Sequence, residues 1–196
     1  LESRFFHHSR GGLACQDFAY RFAGAQILED LTTPTPPELN APYVALDDDL
    51  RVGRCWRVPQ ISGQLGIRLS HRIKITHLSV DHIPQELVLD RMHAPRDIIL
   101  WGVIDSPSPP LPQHEADPIW DAMPRRGPLL NRGLMVVPLV AIQYNITTTE
   151  FVQTFNVSHS IFANHTFSTV IIEVLNNWGA DWTCVYRIRI HGEAVF

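Results

Sequence analysis

The chain has 196 residues, 45% of them hydrophobic and 18% charged, a globular composition long enough to bury one large core, which excludes wholesale disorder. Sixteen Lys and Arg against twenty Asp and Glu leave a formal charge of −4, so bulk positive charge is not available to drive nucleic-acid binding. No apolar run is long enough for a membrane span, and the sequence opens on Leu1 rather than Met, which reads as a fragment whose targeting segments have been cut away.

In chain order, residues 1–12 (LESRFFHHSRGG) mix charge, paired histidines and paired glycines and read as a loose arm. DFAYRFAGAQIL, from Asp17, places Phe18, Phe22, Ala25 and Leu28 at helical spacing, with Asp17 as a cap. Residues 32–42 (TTPTPPELNAP) are too rich in proline for a helix or a central strand. The period then changes to two. Leu65, Ile67, Leu69, Ile73 and Ile75 share one face, and Leu78 and Val80 reverse the parity, which predicts a bulge near Thr76-His77. DIILWGVI (97–104) is a short apolar run with strand length. MVVPLVAIQYNI is another, demoted by Pro138 to an edge or a bend. FVQTFNV and FSTVIIEVL follow. TCVYRIRIHG alternates, with Cys184, Tyr186, Ile188 and Ile190 on one side and Arg187, Arg189 and His191 on the other. Many short strands and one early helix predict an all-β antiparallel sandwich. Residues 105–133, proline-rich and of mixed charge, read as a loop insertion.

Catalytic motifs are absent: there is no GxSxG, P-loop, GxGxxG or HExxH, so the chain reads as a non-enzyme. The ten histidines show no ligand spacing with a carboxylate in support, and alternation separates His71 and His77 from His82. Three cysteines, Cys15, Cys55 and Cys184, form no CxxC; they leave one pair and a spare, or three free thiols. Asp47-Asp48-Asp49 before Gly53 is either a solvated charge run or a hard-cation loop using carboxylate or main-chain oxygens. Asn145, Asn156 and Asn164 each open an N-glycosylation sequon, which with the cysteines points to an oxidising, glycosylating lumen.

NNWGADWTCVYRIRIHGE (176–193) resembles the closing signature of the SUN domain family. Four earlier segments agree with it in order: DFAYRFAGAQIL, VGRCW (52–56), IRLSHRIKITHLSVDHIP (67–84) and APRDIILWGV (94–103). The resemblance spans about residues 13–193. It implies a galactose-binding-like jelly roll over 13–196, the C-terminal domain of an inner-nuclear-membrane protein, lying in the perinuclear lumen. There the family binds the C-terminal tails of KASH proteins and links nucleus to cytoskeleton in the LINC complex. Full-length members trimerise through a preceding coiled coil; for this stretch a monomer is expected.

The resemblance also implies site residues. Cys55 and Cys184 match the family's disulfide, which leaves Cys15 as the spare. Residues 43–56 match its cation loop, in which a potassium or sodium ion sits mainly on main-chain oxygens; the corresponding positions are Val44, Asp47, Asp49, Arg54 and Tyr186. The pocket for the tail's terminal carboxylate maps to His82, His93, Trp182 and Tyr186. Trp182 replaces the commoner Tyr, and His93 stands where Ser is expected, so a protonated imidazole makes tail binding pH-sensitive. The family's long β-hairpin lid, to which the tail adds a strand, has only residues 32–42 in its place, which predicts a weakened grip. Thr32 stands near where some relatives place a tail-crosslinking Cys. The competing reading is a carbohydrate- or glycoprotein-binding sandwich of the secretory pathway, with Trp101, Trp120 and Trp178 as candidate exposed aromatics, core burial being preferred for Trp101.

Overall fold

A computed structural model describes residues 16–87, 90–104, 127–130, 134–157, 162 and 164–195. The arm 1–12, Cys15, Trp120 and most of the 105–133 insertion lie outside the described residues. The described strands are β1 (Gln26–Ile27), β2 (Trp56–Val58), β3 (Gly63–Asp81), β4 (Asp97–Ile104), β5 (Met135–Gln143), β6 (Val152–Asn156), β7 (Thr166–Val174), β8 (Thr183–Val185) and β9 (Arg187–Ala194). All pairings are antiparallel, as the alternating pattern requires.

The 19-residue β3 organises the fold. Its first half lies between β1 and β7, and its second half between β9 and β6. The path continues from β7 through β4 to β5, and β2 and β8 form a separate two-stranded sheet. The parity reversal in the sequence is real: the β3–β9 register shifts between Ile75 and His77, so Ile75 and Leu78 are both buried. One extra residue, Thr76, turns the strand so that its second half continues over the same core. Pro138 sits on the edge strand β5, opposite Trp101, where the β4–β5 register also shifts; an edge and a bend are where a residue without an N–H does least damage.

Strand β7 is buried on both faces, which explains its run of β-branched residues. Val170, Ile172 and Val174 join the main core with Trp56, Leu65, Ile98 and Leu100. Ile171 points the other way, into a smaller cluster with Leu31 and Val103. Glu173 shares that second face and accepts the Trp101 indole N–H at 2.8 Å, while burial pushes its carboxyl above the usual range. Trp101 is therefore half-buried at the rim of this cluster rather than fully inside the core.

One expectation changes. The opening segment holds no long helix, only a 3-10 turn over Arg21–Ala23 ended by Gly24 in the left-handed region. Phe22, assigned to the apolar stripe, is 70% exposed, whereas Phe18 and Ala25 are buried. The segment runs across the sheet instead: Phe18 donates its N–H to Ile190 and accepts from Ser70, tying it to two strands. That crossing also covers the polar side of β9. Arg187 and His191, opposite its apolar residues, are buried, because residues 16–20 cover them. Arg187 pairs with Asp17 at 3.0 Å, and the His191 ring lies 3.2 Å from the Gln16 carbonyl. Arg189 beside them donates to Asp81, whose carboxyl burial still pushes above the usual range against that pull.

Candidate functional site

The site forms where the small β2–β8 sheet meets the end of β3. β8 follows a turn organised by one buried side chain. Asn177 accepts the N–H groups of Gly179 and Ala180 through its side-chain oxygen and donates to the carbonyls of Ala180 and Trp182. Gly179, at φ +125°, completes the turn in a conformation that L side chains rarely adopt. Together they aim Trp182 outward just before β8. Cys184 then donates its N–H to the His93 carbonyl at 2.8 Å, which fixes the 90–96 turn beside it.

β2 and β8 pair through only three residues each. Cys55, immediately before β2, is joined to Cys184 on β8 by a disulfide, with Cα atoms 5.4 Å apart. This covalent tie holds a sheet that is too short to stand alone.

Around it lies a cavity of about 330 Å³ lined by Leu39, Asn40, Arg57, His82, Trp182 and Tyr186, among others. His93, Glu38, Asp90 and both disulfide cysteines also face it. The four residues assigned to the tail pocket, drawn from two distant stretches of sequence, thus line one cavity. They meet in two ring pairs: His82 and Tyr186 edge to face at 4.7 Å, and His93 and Trp182 at 3.9 Å. Burial pushes the His82 imidazole below its ordinary value, with help from the charge of Arg91 and against the pull of the Ile83 carbonyl. Burial likewise raises the Tyr186 phenol, opposed by the Gly53 N–H that donates to its oxygen at 3.0 Å.

Residues 32–42 contain no strand and form no hairpin. They are pinned as a loop: Thr33 donates its N–H to Gln64, Thr35 accepts the Trp56 indole N–H, and Asn40 donates to the Gly53 carbonyl at 2.7 Å. Glu38, Leu39 and Asn40 thereby close one side of the cavity, a role that the proline content did not foretell. Thr32 is buried in hydrogen bonds with Leu28 and Gly66, away from this lining set.

Two members of the acidic triplet are neutralised locally. Asp47 faces Arg21 and Arg54 at 3.4 and 3.9 Å, and Asp49 faces Arg51 and Arg54 at 2.6 and 2.7 Å. The Arg51 guanidinium holds the Asp49 carboxyl at about 2, below the usual carboxylate range. Asp48 is exposed and accepts the Tyr20 hydroxyl; with Asp47 and Asp49 committed to arginines, a cation in this loop would rely chiefly on main-chain oxygens, a set that suits a weakly held monovalent ion better than a divalent one. Val44 lies within the 3-10 turn Pro42–Leu46 that starts this loop, its carbonyl accepting from the Asp47 N–H that closes the turn.

Asn156 and Asn164 are exposed; Asn145 is half-buried, its side-chain oxygen accepting the N–H and hydroxyl of Thr147. Trp178 is half-buried and donates its indole N–H to Tyr144. Arg57 and Asp90 had not been singled out in the sequence, although the alternation of Trp56-Arg57-Val58 is enough to turn Arg57 outward.

The geometry has counterparts among known proteins. The family described as Sad1 / UNC-like C-terminal matches residues 35–113 and 134–194. Bovine SUN domain-containing protein 3 is 27% identical over 194 residues, covering 90% of this chain and 46% of the relative. Mouse SUN domain-containing protein 2 is 29% identical over 156 residues, covering 78% and 18%. The chain therefore spans less than half of the length of these relatives. Among solved structures, the family 32 carbohydrate-binding module of Streptococcus pneumoniae EndoD superposes with a TM-score of 0.59 at 14% identity, covering 91% of this chain and all of the module. Allantoicase from Saccharomyces cerevisiae gives 0.53 at 16%, covering 90% and 43%. At such identity these likenesses show the jelly-roll fold alone. With the family matching most of the chain and the fold agreeing, the chain belongs to the Sad1 / UNC-like C-terminal family, the SUN domains.

Proposed function

We propose that this SUN domain is a non-enzymatic module of the nuclear envelope, facing the perinuclear lumen, that binds the C-terminal tail of a KASH protein in the cavity between β2–β8 and the end of β3. One observation carries the reading: His82, His93, Trp182 and Tyr186, the positions that the family resemblance assigns to the tail pocket, line a single cavity. Its volume suits one or two terminal residues of a peptide, and its aromatic walls with a few polar groups suit a ligand having an apolar body and a polar end. The loop 32–42 offers no strand for the peptide to extend, so affinity rests on the cavity rather than on β-augmentation, and binding is weak for the family.

The lumenal setting supports the disulfide and places Asn156 and Asn164 where glycans can be attached. A potassium or sodium ion held by main-chain oxygens of Val44, Asp47, Asp49, Arg54 and Tyr186 would brace the loop that carries Cys55; its chemistry is structural. Isolated, the domain is a monomer, and trimerisation belongs to the longer protein.

His93 gives the site its own pH response. Its Nδ1 lies 3.5 Å from Asp90, and its ring packs at a tilt against Trp182; Glu38, Arg57 and His82 are the other charged or titratable groups on the cavity wall, with Tyr186. Protonating His93 adds a cation to a site for an anion, so acidification strengthens binding. A KASH-tail peptide titrated between pH 5.5 and 8 will bind wild type several-fold more tightly at the acid end, and His93→Ser will flatten that profile. Identical profiles for the two proteins remove His93 from the site, and no binding at any pH overturns the tail reading.

A further inference from the structure

We infer that Arg57 is the cationic anchor for the ligand's anionic group, held in place by Trp182. The inference rests on the tail-binding reading and names the side chain that meets the terminal carboxylate.

The argument starts from β2. Trp56 and Val58 are fully buried, and in a strand their neighbour must point to the opposite face. Arg57 accordingly projects to the cavity side, in register with Cys184. Its guanidinium lies 4.2 Å from the centre of the Trp182 ring. A guanidinium held over an aromatic ring can keep its N–H edge for a ligand, the fork that matches a carboxylate with two parallel hydrogen bonds. Among the described residues no Asp or Glu forms an ion pair with Arg57, in contrast to Arg21, Arg51, Arg54, Arg187 and Arg189.

The other polar groups on the wall cannot supply the charge. Glu38 and Asp90 are acidic and repel a carboxylate. Nδ1 of His82 lies 3.2 Å from the Ile83 carbonyl, which can only accept, so that nitrogen carries the proton and the neutral ring offers Nε2 as an acceptor. Tyr186 accepts from Gly53 and keeps its own O–H to donate, a single neutral hydrogen bond. His93 turns its Nδ1 toward Asp90 at 3.5 Å, so that nitrogen faces an acid of the wall rather than the ligand. Arg57 remains charged at every physiological pH. Trp182 contacts both side chains, with His93 at 3.9 Å and Arg57 at 4.2 Å, and so ties each of them to the same cavity wall.

The test is calorimetric titration of wild type, Arg57→Gln and Arg57→Lys with a KASH-tail peptide, each as the free acid and as the C-terminal amide, at low and high salt. Loss of a charge-assisted pair predicts that Arg57→Gln binds the free acid about 10- to 100-fold more weakly. Its acid-to-amide ratio falls toward one, and the salt dependence of binding shrinks. Arg57→Lys keeps the charge without the fork and falls between. Arg57 is half-exposed, so melting temperatures stay near wild type and report intact folding. An Arg57→Gln protein that keeps the wild-type acid-to-amide ratio overturns the role of Arg57 alone. A wild type that binds acid and amide equally overturns the tail reading beneath it.

Discussion

Replacing Cys55 and Cys184 together by serine lowers the melting temperature by about 10–20 °C. The bond closes a loop of 129 residues in sequence separation, which in the chain-entropy account stabilises the fold by about 5 kcal/mol. For a domain of this size each kcal/mol shifts the midpoint by about 2–4 °C. The loss falls first on the β2–β8 sheet, which among the described residues has three residue pairs and no third strand. Both cysteines also line the cavity, so KASH-tail binding weakens at temperatures where the rest of the domain is still folded. Thermal unfolding with and without reductant checks this; a midpoint insensitive to reduction contradicts it.

Gly192→Ala produces the second large effect, a loss of about 3 kcal/mol, at the upper end of what overpacking costs. Gly192 pairs with Ile75 beside the bulge in β3. A methyl group there would collide with the carbonyl oxygen of Lys74 and crowd the Ile73 side chain. The colliding atom belongs to the backbone of the neighbouring strand, so relief requires opening the β3–β9 ladder rather than rotating a side chain. The glycine in the closing His-Gly-Glu of the sequence is thereby explained by close strand approach and not by contact with a ligand. Chemical denaturation of the variant, with tail binding measured well below its midpoint, separates the two roles. Near-wild-type stability with lost binding would reverse the explanation.

The sequence patterns carried strands well and helices badly, for a physical reason. Strand alternation is enforced by a face that must be buried, so the parity reversal at Thr76-His77 survived as a bulge, and Pro138 fell on an edge. The opening segment satisfied helical spacing with four residues, but its burial comes from lying across β3 and β9, which leaves Phe22 exposed. Periodicity within a short window carries no information about such a crossing. The same crossing covers Arg187 and His191, which alternation alone would leave in water. At the cavity, His82, His93, Trp182 and Tyr186 were legible only through resemblance to a family, since nothing local in their sequence marks them. Arg57 was legible in principle from the Trp-Arg-Val alternation. Its meaning depended on Trp182, more than a hundred residues away, stacking beneath it. The wall formed by Glu38, Leu39 and Asn40 was illegible, because it depends on Asn40 reaching the Gly53 carbonyl.

The central claim is that this cavity reads the free end of a peptide. The most direct measurement is the affinity of the wild-type domain for one KASH-tail peptide prepared as the free acid and as the C-terminal amide, at neutral pH and physiological salt. Amidation removes the charge and puts N–H donors where acceptors were needed, so the amide is predicted to bind about a hundredfold more weakly. Equal affinity for the two forms would contradict the account.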